Sequence, residues 1–210
     1  MLIVALEPVR RELSVSNSRF IASLAPVESV EAAKAFIADI KREFPDASHH
    51  VPAFVIGGGK SVTEFCSDDG EPSGTSGRPL LAVLKGSGLG NVAVVVTRYF
   101  GGTLLGTGGL VKAYSEAGKA VLAAARRAEL VPSRTVALTL PYTLFERARQ
   151  YMDAAGARMV KDKFAEEVSL EIELPEESWP VFSSRMAELG AGSLILATLA
   201  QGGMKRPLNP

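Results

Sequence analysis

Apolar and polar positions along the chain recur with periods that change from segment to segment. "SRFIASLAPV" (Ser18 to Val27) has the character of a strand. In "ESVEAAKAFIADIKREF", Val30, Ala33, Ile37, Ile40 and Phe44 fall on one face of a helix. Ser29 is placed to cap that helix and Pro45 to stop it. "HVPAFVIGGGKSVTEFCSDD" predicts two extended segments around a turn at Gly57 to Gly59, the second ending at Asp68 and Asp69. "GTSGRPLLAVLKG" predicts a short helix from Gly77 to Lys85, closed by Gly86. "NVAVVVT" is apolar on consecutive residues and rich in valine, the pattern of a central strand covered on both faces. From Leu110 onward Ala113, Tyr114, Ala117, Val121 and Ala124 return at helical spacing, and the alanines let such a helix sit close to a sheet. Arg126 and Arg127 suit the negative end of its dipole.

The rhythm changes at "ELVPSRTVALTLPY", where a proline and a serine predict a domain boundary near Val131 to Arg134. A strand (Thr135 to Leu140), a helix (Leu144 to Ala155), two strands around Lys163, a helix (Glu177 to Leu189) and a last strand (Ser193 to Ala200) follow. This βαββαβ order is that of a ferredoxin-like sandwich. "VSLEIEL" alternates cleanly, with Val168, Leu170, Ile172 and Leu174 on one face and Ser169, Glu171 and Glu173 on the other. The expected organisation is α+β, with domains at residues 1–131 and 132–203 and a frayed tail at 204–210.

Composition narrows the class. Lys plus Arg and Asp plus Glu both number 23 in 210 residues, so net charge supplies no general attraction to nucleic acid or anionic lipid. The single cysteine, Cys66, rules out an intramolecular disulfide and CxxC zinc sites, and fits a reducing cytoplasm. The start "MLIVALEPVRREL" has no basic residue before its apolar run, unlike a secretory signal. No apolar run is long enough to span a bilayer.

The glycines invite three familiar motifs, and each fails on a residue. "GGGKS" (Gly57 to Ser61) ends like a phosphate-binding P-loop, but Phe54 occupies the required earlier glycine, and a hairpin turn is the better reading. A dinucleotide fingerprint beginning at Gly106 would need glycine where Val111 stands. No Gly-x-Ser-x-Gly elbow occurs, and His49 and His50 are the only histidines available as bases.

Two polar, Gly-rich segments remain, "SDDGEPSGTSGRP" (Ser67 to Pro79) and "TRYFGGTLLGTGG" (Thr97 to Gly109), each preceding a helix. Backbone N–H groups at Gly106, Gly108 and Gly109, with Gly101 and Gly102 before them and Lys112 in the first turn, make a candidate anion site. Arg98 is its candidate phosphate ligand. Alternatively Arg98 pairs with Asp68, Asp69 or Glu71 and the glycines only turn the chain. Asp68, Asp69 and Glu71 are weak candidates for a divalent cation, against helix capping as the commoner role. Tyr99 and Phe100 are candidates for stacking on exposed bases, against a place in the core.

The residues "SDDGEPSGTSGRPLL" and "VVVTRYFGGTLLGTGGLVKAYSEA", with "SRFIASLAPV", "AAKAFIADIK" and "DASHH", closely resemble the IMPACT family, in its bacterial two-domain YigZ-like branch. The acidic-loop motif is Asp68, Asp69, Gly70, Glu71 and Thr75. Ser16 and Asn17 depart from the family, in which a basic residue commonly precedes Ser-Arg-Phe. The resemblance implies an N-terminal domain like the second domain of ribosomal protein S5, followed by a ferredoxin-like domain similar to domain V of elongation factor G. It also implies a cytoplasmic, non-catalytic, translation-associated regulator with RNA, the ribosome or a translation factor as partner and no cofactor. An enzyme binding a nucleotide or phosphorylated small molecule at the Gly-rich helix start is the alternative.

Overall fold

In a computed structural model that describes residues 2–58 and 61–208, the chain divides into two compact units. The first holds the residues up to Glu129 and those from Pro207 onward, and the second is Leu130–Arg206. The first contains β1 (Leu2–Ala5), β2 (Val9–Val15), β3 (Ser18–Pro26), α1 (Val30–Glu43), β4 (His49–Gly58), β5 (Ser61–Cys66), α2 (Gly77–Gly86), β6 (Val92–Tyr99) and α3 (Gly106–Ala124). Its antiparallel sheet has the order β2-β3-β6-β4-β5.

The central place of β6 explains its unbroken valines. Val92, Val94 and Val96 pack with Leu80, Leu84, Tyr114 and Val121 under α2 and α3. Ala93 packs on the other face with Val27, Ala33 and Phe54 under α1. Ser29 caps α1 by accepting from the Ala32 N–H at 3.1 Å. The β4–β5 pairing reaches Gly58 opposite Ser61, as a hairpin requires, while Gly59 and Lys60 of the predicted turn lie outside the described residues.

Three local readings need correction. No element was expected before Ser18, yet β2 pairs with β3 through a two-residue turn in which Ser16 and Asn17 take φ of 47° and 65°. Its charged stretch Arg10, Arg11 and Glu12 hides the strand pattern because β2 is an edge. Helix α3 begins at Gly106 rather than Leu110, so its first turn contains the glycines. It ends at Ala124, and Arg126 and Arg127 lie beyond it, bonding Glu7 and the Ser87 carbonyl.

The second unit is built from β7 (Arg127–Leu140), α4 (Tyr142–Ala154), β8 (Arg158–Phe164), β9 (Val168–Pro175), a 3-10 turn (Glu176–Ser178), α5 (Trp179–Leu189) and β10 (Leu196–Pro207). Four strands of a five-stranded sheet, in the order β10-β7-β9-β8, and the βαββαβ succession are ferredoxin-like. Val168, Leu170, Ile172 and Leu174 are buried against Ala148, Met152, Phe182 and Met186 of the two helices.

The division at Glu129 falls inside no loop, because β7 runs through it and through Pro132. Pairing with β9 starts one residue later, at Ser133, so that side of the ladder asks for no N–H from Pro132. Lys163 lies within β8, and the turn comes at Ala165 to Glu167. The last strand starts at Leu196 rather than Ser193. The expected frayed tail is also corrected: residues 204–207 continue β10 because the long β7 offers a pairing edge, and the Leu208 N–H still bonds Arg127 at 3.0 Å. Asn209 and Pro210 lie outside the described residues. Among the described residues no helix is long and apolar enough to cross a membrane.

Candidate functional site

The two Gly-rich segments, distant in sequence, line one cleft of the first domain. Asp68 anchors the first segment. Its carboxylate accepts from the N–H groups of Gly74 (2.8 Å), Ser76 (3.1 Å) and Gly77 (2.8 Å) and from the Ser76 hydroxyl (2.8 Å). It thus caps α2 from outside, where Ser76 makes no capping bond of its own. Burial pushes the Asp68 carboxyl up, but these bonds outweigh it and hold it below the usual carboxylate range. A Cβ at Gly77 would stand 2.7 Å from the Ser67 backbone, so only glycine lets the helix start this close.

Asp69 faces the other way. Its carboxylate accepts from Lys41 Nζ and from the His50 N–H, both at 2.7 Å. Burial raises its carboxyl and the Lys41 and His50 bonds lower it further than that. Thr75 closes the loop by donating to the Pro72 carbonyl at 2.6 Å. The Gly70 backbone is left-handed, with φ of 88°.

Glu71 turns inward and meets the second segment. Its oxygens accept from Arg98 Nη1 at 2.7 and 3.0 Å and from the Tyr114 hydroxyl at 2.6 Å. Only 3% of the Glu71 side chain and 6% of that of Arg98 are exposed. Arg98 Nη2 donates to Ser18 Oγ at 3.2 Å, and its guanidinium lies over Phe20 and Phe100. Among the described residues Arg98 Nε has no hydrogen-bond partner. Burial, followed by the bond to Glu71, pushes the Tyr114 phenol far up, which keeps it a donor. His49 Nδ1 lies 2.9 Å from the Asp69 carbonyl oxygen, which only accepts, so Nδ1 carries the proton. His49 Nε2 stands 3.9 Å from Glu71.

Above this polar floor opens a cleft of about 440 Å³, walled by Pro72, Phe100, Leu104, Leu105 and Leu110. Leu104 at its rim is 86% exposed and Phe100 48%. Gly106 and Thr107, at the start of α3, also line it, and the N-cap residue Leu105 supplies no side-chain capping bond.

The predicted residues therefore separate. Arg98 engages the chain's own Glu71, not Asp68 or Asp69. Tyr99 points elsewhere, donating to Asp46 at 2.9 Å with Arg19 over its ring. Gly101 is required sterically, because a Cβ would overlap the Asn17 carbonyl, and Gly102 and Gly106 hold φ of 79° and 68°. Gly109 sits against Leu105, whereas a Cβ on Gly108 would meet nothing. Lys112 is exposed on α3 and does not line the cleft. The three acidic side chains disperse to three destinations, and among the described residues no group of three His, Cys, Asp or Glu is placed to hold a metal. Sequence reasoning missed Ser18 and gave Tyr114 only a core role. A tyrosine among alanines on a buried helix face signals a hydroxyl in need of a partner.

Comparison with known proteins places this geometry. Residues 16–122 match the model of the Impact N-terminal domain, and residues 138–193 match a domain of unknown function, DUF1949. The chain is 37% identical over 195 residues to the IMPACT family member YigZ of Escherichia coli (strain K12), covering 92% of this chain and 96% of that one. It is 33% identical over 107 residues to Protein IMPACT of Mus musculus, covering 48% of this chain and 33% of the mouse protein. A solved structure described only as that of a hypothetical protein superposes with a TM-score of 0.61 at 37% identity, covering 95% and 97% of the two chains. The chain belongs to the IMPACT family, and the cleft lies in the domain that gives that family its name.

Proposed function

We propose that this protein is a translation-associated, non-catalytic binding protein of the cytoplasm, and that its cleft receives an apolar group of a protein component of the translation machinery. The observation that carries this reading is the convergence of the two Gly-rich segments on one cleft in which Arg98 and Glu71 already pair with each other while the rim is apolar and exposed. A neutralised floor under exposed Phe100 and Leu104 suits an apolar anchor better than a phosphate chain. The association with translation rests on membership of the IMPACT family, whose eukaryotic members regulate translation.

The test is cosedimentation with ribosomes from lysate, with and without ribonuclease. Phe100→Ala with Leu104→Ala should lower binding by about tenfold, because truncating a buried apolar anchor removes ~1–2 kcal/mol or more. Binding should survive ribonuclease and change little with salt. A steep loss with rising salt, abolished by Lys112→Ala, would favour the second reading, RNA phosphate held at the start of α3. Unchanged binding in all these variants would dismiss the cleft as the contact.

A further inference from the structure

We infer that the free edge of β10 pairs with β10 of a second copy of this chain, antiparallel about a two-fold axis, so that the second-domain sheet continues across a homodimer. Edge strands expose unpaired N–H and C=O groups, and proteins blunt them with charge, bulges or proline unless the edge is used. The strands at the edges of the two sheets are β1, β2, β5, β8 and β10, of which β1 is only four residues long and is bridged to Leu89 through Ile3.

Three of them carry such protection. β2 displays Arg10, Arg11 and Glu12. β5 is short and carries Glu64, bonded to Lys85. β8 holds Arg158, Lys161 and Lys163 and is broken by an irregularity between Met159 and Lys161. β10 is different. Its stretch 196–203, "LATLAQGG", contains no charged residue and no proline. It pairs with β7 and with no other strand among the described residues, and residues 197–203 are all exposed. Leu199 is 53% exposed, and Ile195 beside the strand 79%.

The occupant follows from self-complementarity. With Leu199 on the axis, the two copies of this leucine form an apolar cross-strand pair, and no like charges meet along 196–203. The basic residues Lys205 and Arg206 are carried to opposite ends of the paired strands. At a rise of about 3.4 Å per residue the two Lys205 side chains stand about 40 Å apart, several Debye lengths. A two-fold contact of this kind uses one surface twice and closes on itself. The inference is independent of the cleft, which belongs to the first domain.

Light scattering on the full chain between roughly 1 and 100 µM should show the mass rising from 22.2 kDa toward twice that value. Backbone hydrogen exchange at 196–203 should slow by about tenfold over the same range. Leu199→Lys places two ammonium groups face to face on the axis, and should leave a folded 22.2 kDa species whose exchange no longer depends on concentration. A wild-type chain that stays at 22.2 kDa throughout overturns the inference, and so does a dimer whose 196–203 amides exchange freely. A monomer that protects this edge only when a foreign peptide is added overturns the assignment of a second copy.

Discussion

Arg98 and Glu71 form a buried pair whose partners are Ser18 and Tyr114, and the loss of one member leaves the other charged and unpaired in the interior. Arg98→Ala should therefore destabilise the first domain by ~3–5 kcal/mol in urea unfolding. Tyr114→Phe keeps the ion pair but removes its 2.6 Å bond, and should lower stability by only ~1 kcal/mol. Asp68 and Asp69 add a pH dependence. Both carboxyls titrate below their ordinary values in the folded protein, so their contribution is fully present above the unfolded value of about 3.9. It is lost as the pH falls through the lower folded values. Asp68→Asn should flatten the acid side of a Tm-against-pH profile. The identity of these acidic residues was legible in sequence as a capping, pairing or metal-binding set, but their destinations were not. Adjacent side chains in one loop point in different directions, and only the partners brought from β4, β6, α1 and α3 separate them.

Among the elements, α3 shows where periodicity stops informing. Its apolar face is regular from Leu110, but the turn before it has glycines where a pattern needs side chains, so periodicity placed its start at Leu110 rather than Gly106. Within that turn Gly108 is helical and faces open space. Gly108→Ala should stabilise the protein by ~0.5–1 kcal/mol in thermal or urea unfolding, since alanine loses less backbone freedom on folding. Gly101→Ala should do the opposite and disorder the loop after β6, because its Cβ would overlap the Asn17 carbonyl. The edge strands repeat the lesson. β2 was missed because its charges serve its exposure, bonding Glu43 and Ser23 through Arg10 and Arg19 through Glu12. β9 was legible because one of its faces is core throughout.

At the scale of the molecule, the two domains have separate apolar clusters, one around Tyr114, Phe20 and Leu84 and the other around Phe182, Met186 and Ile172. The only tryptophan, Trp179, packs against the second. Phe182→Ala should cost ~3–5 kcal/mol and shift the unfolding transition seen by tryptophan fluorescence, while amide exchange in β6 stays unchanged. A common shift in both signals would show that the two cores unfold as one. The sequence by itself determined what depends on local periodicity and steric identity. That includes the helices, the doubly covered β6, the βαββαβ succession and the motifs that mark the family. Tertiary structure alone decided that Arg98 faces Glu71 rather than an outside anion, that the last residues of β10 pair instead of fraying, and that the two Gly-rich segments share one cleft. Each of these depends on which distant groups arrive within hydrogen-bonding distance, and a one-dimensional pattern of hydrophobicity carries no record of that.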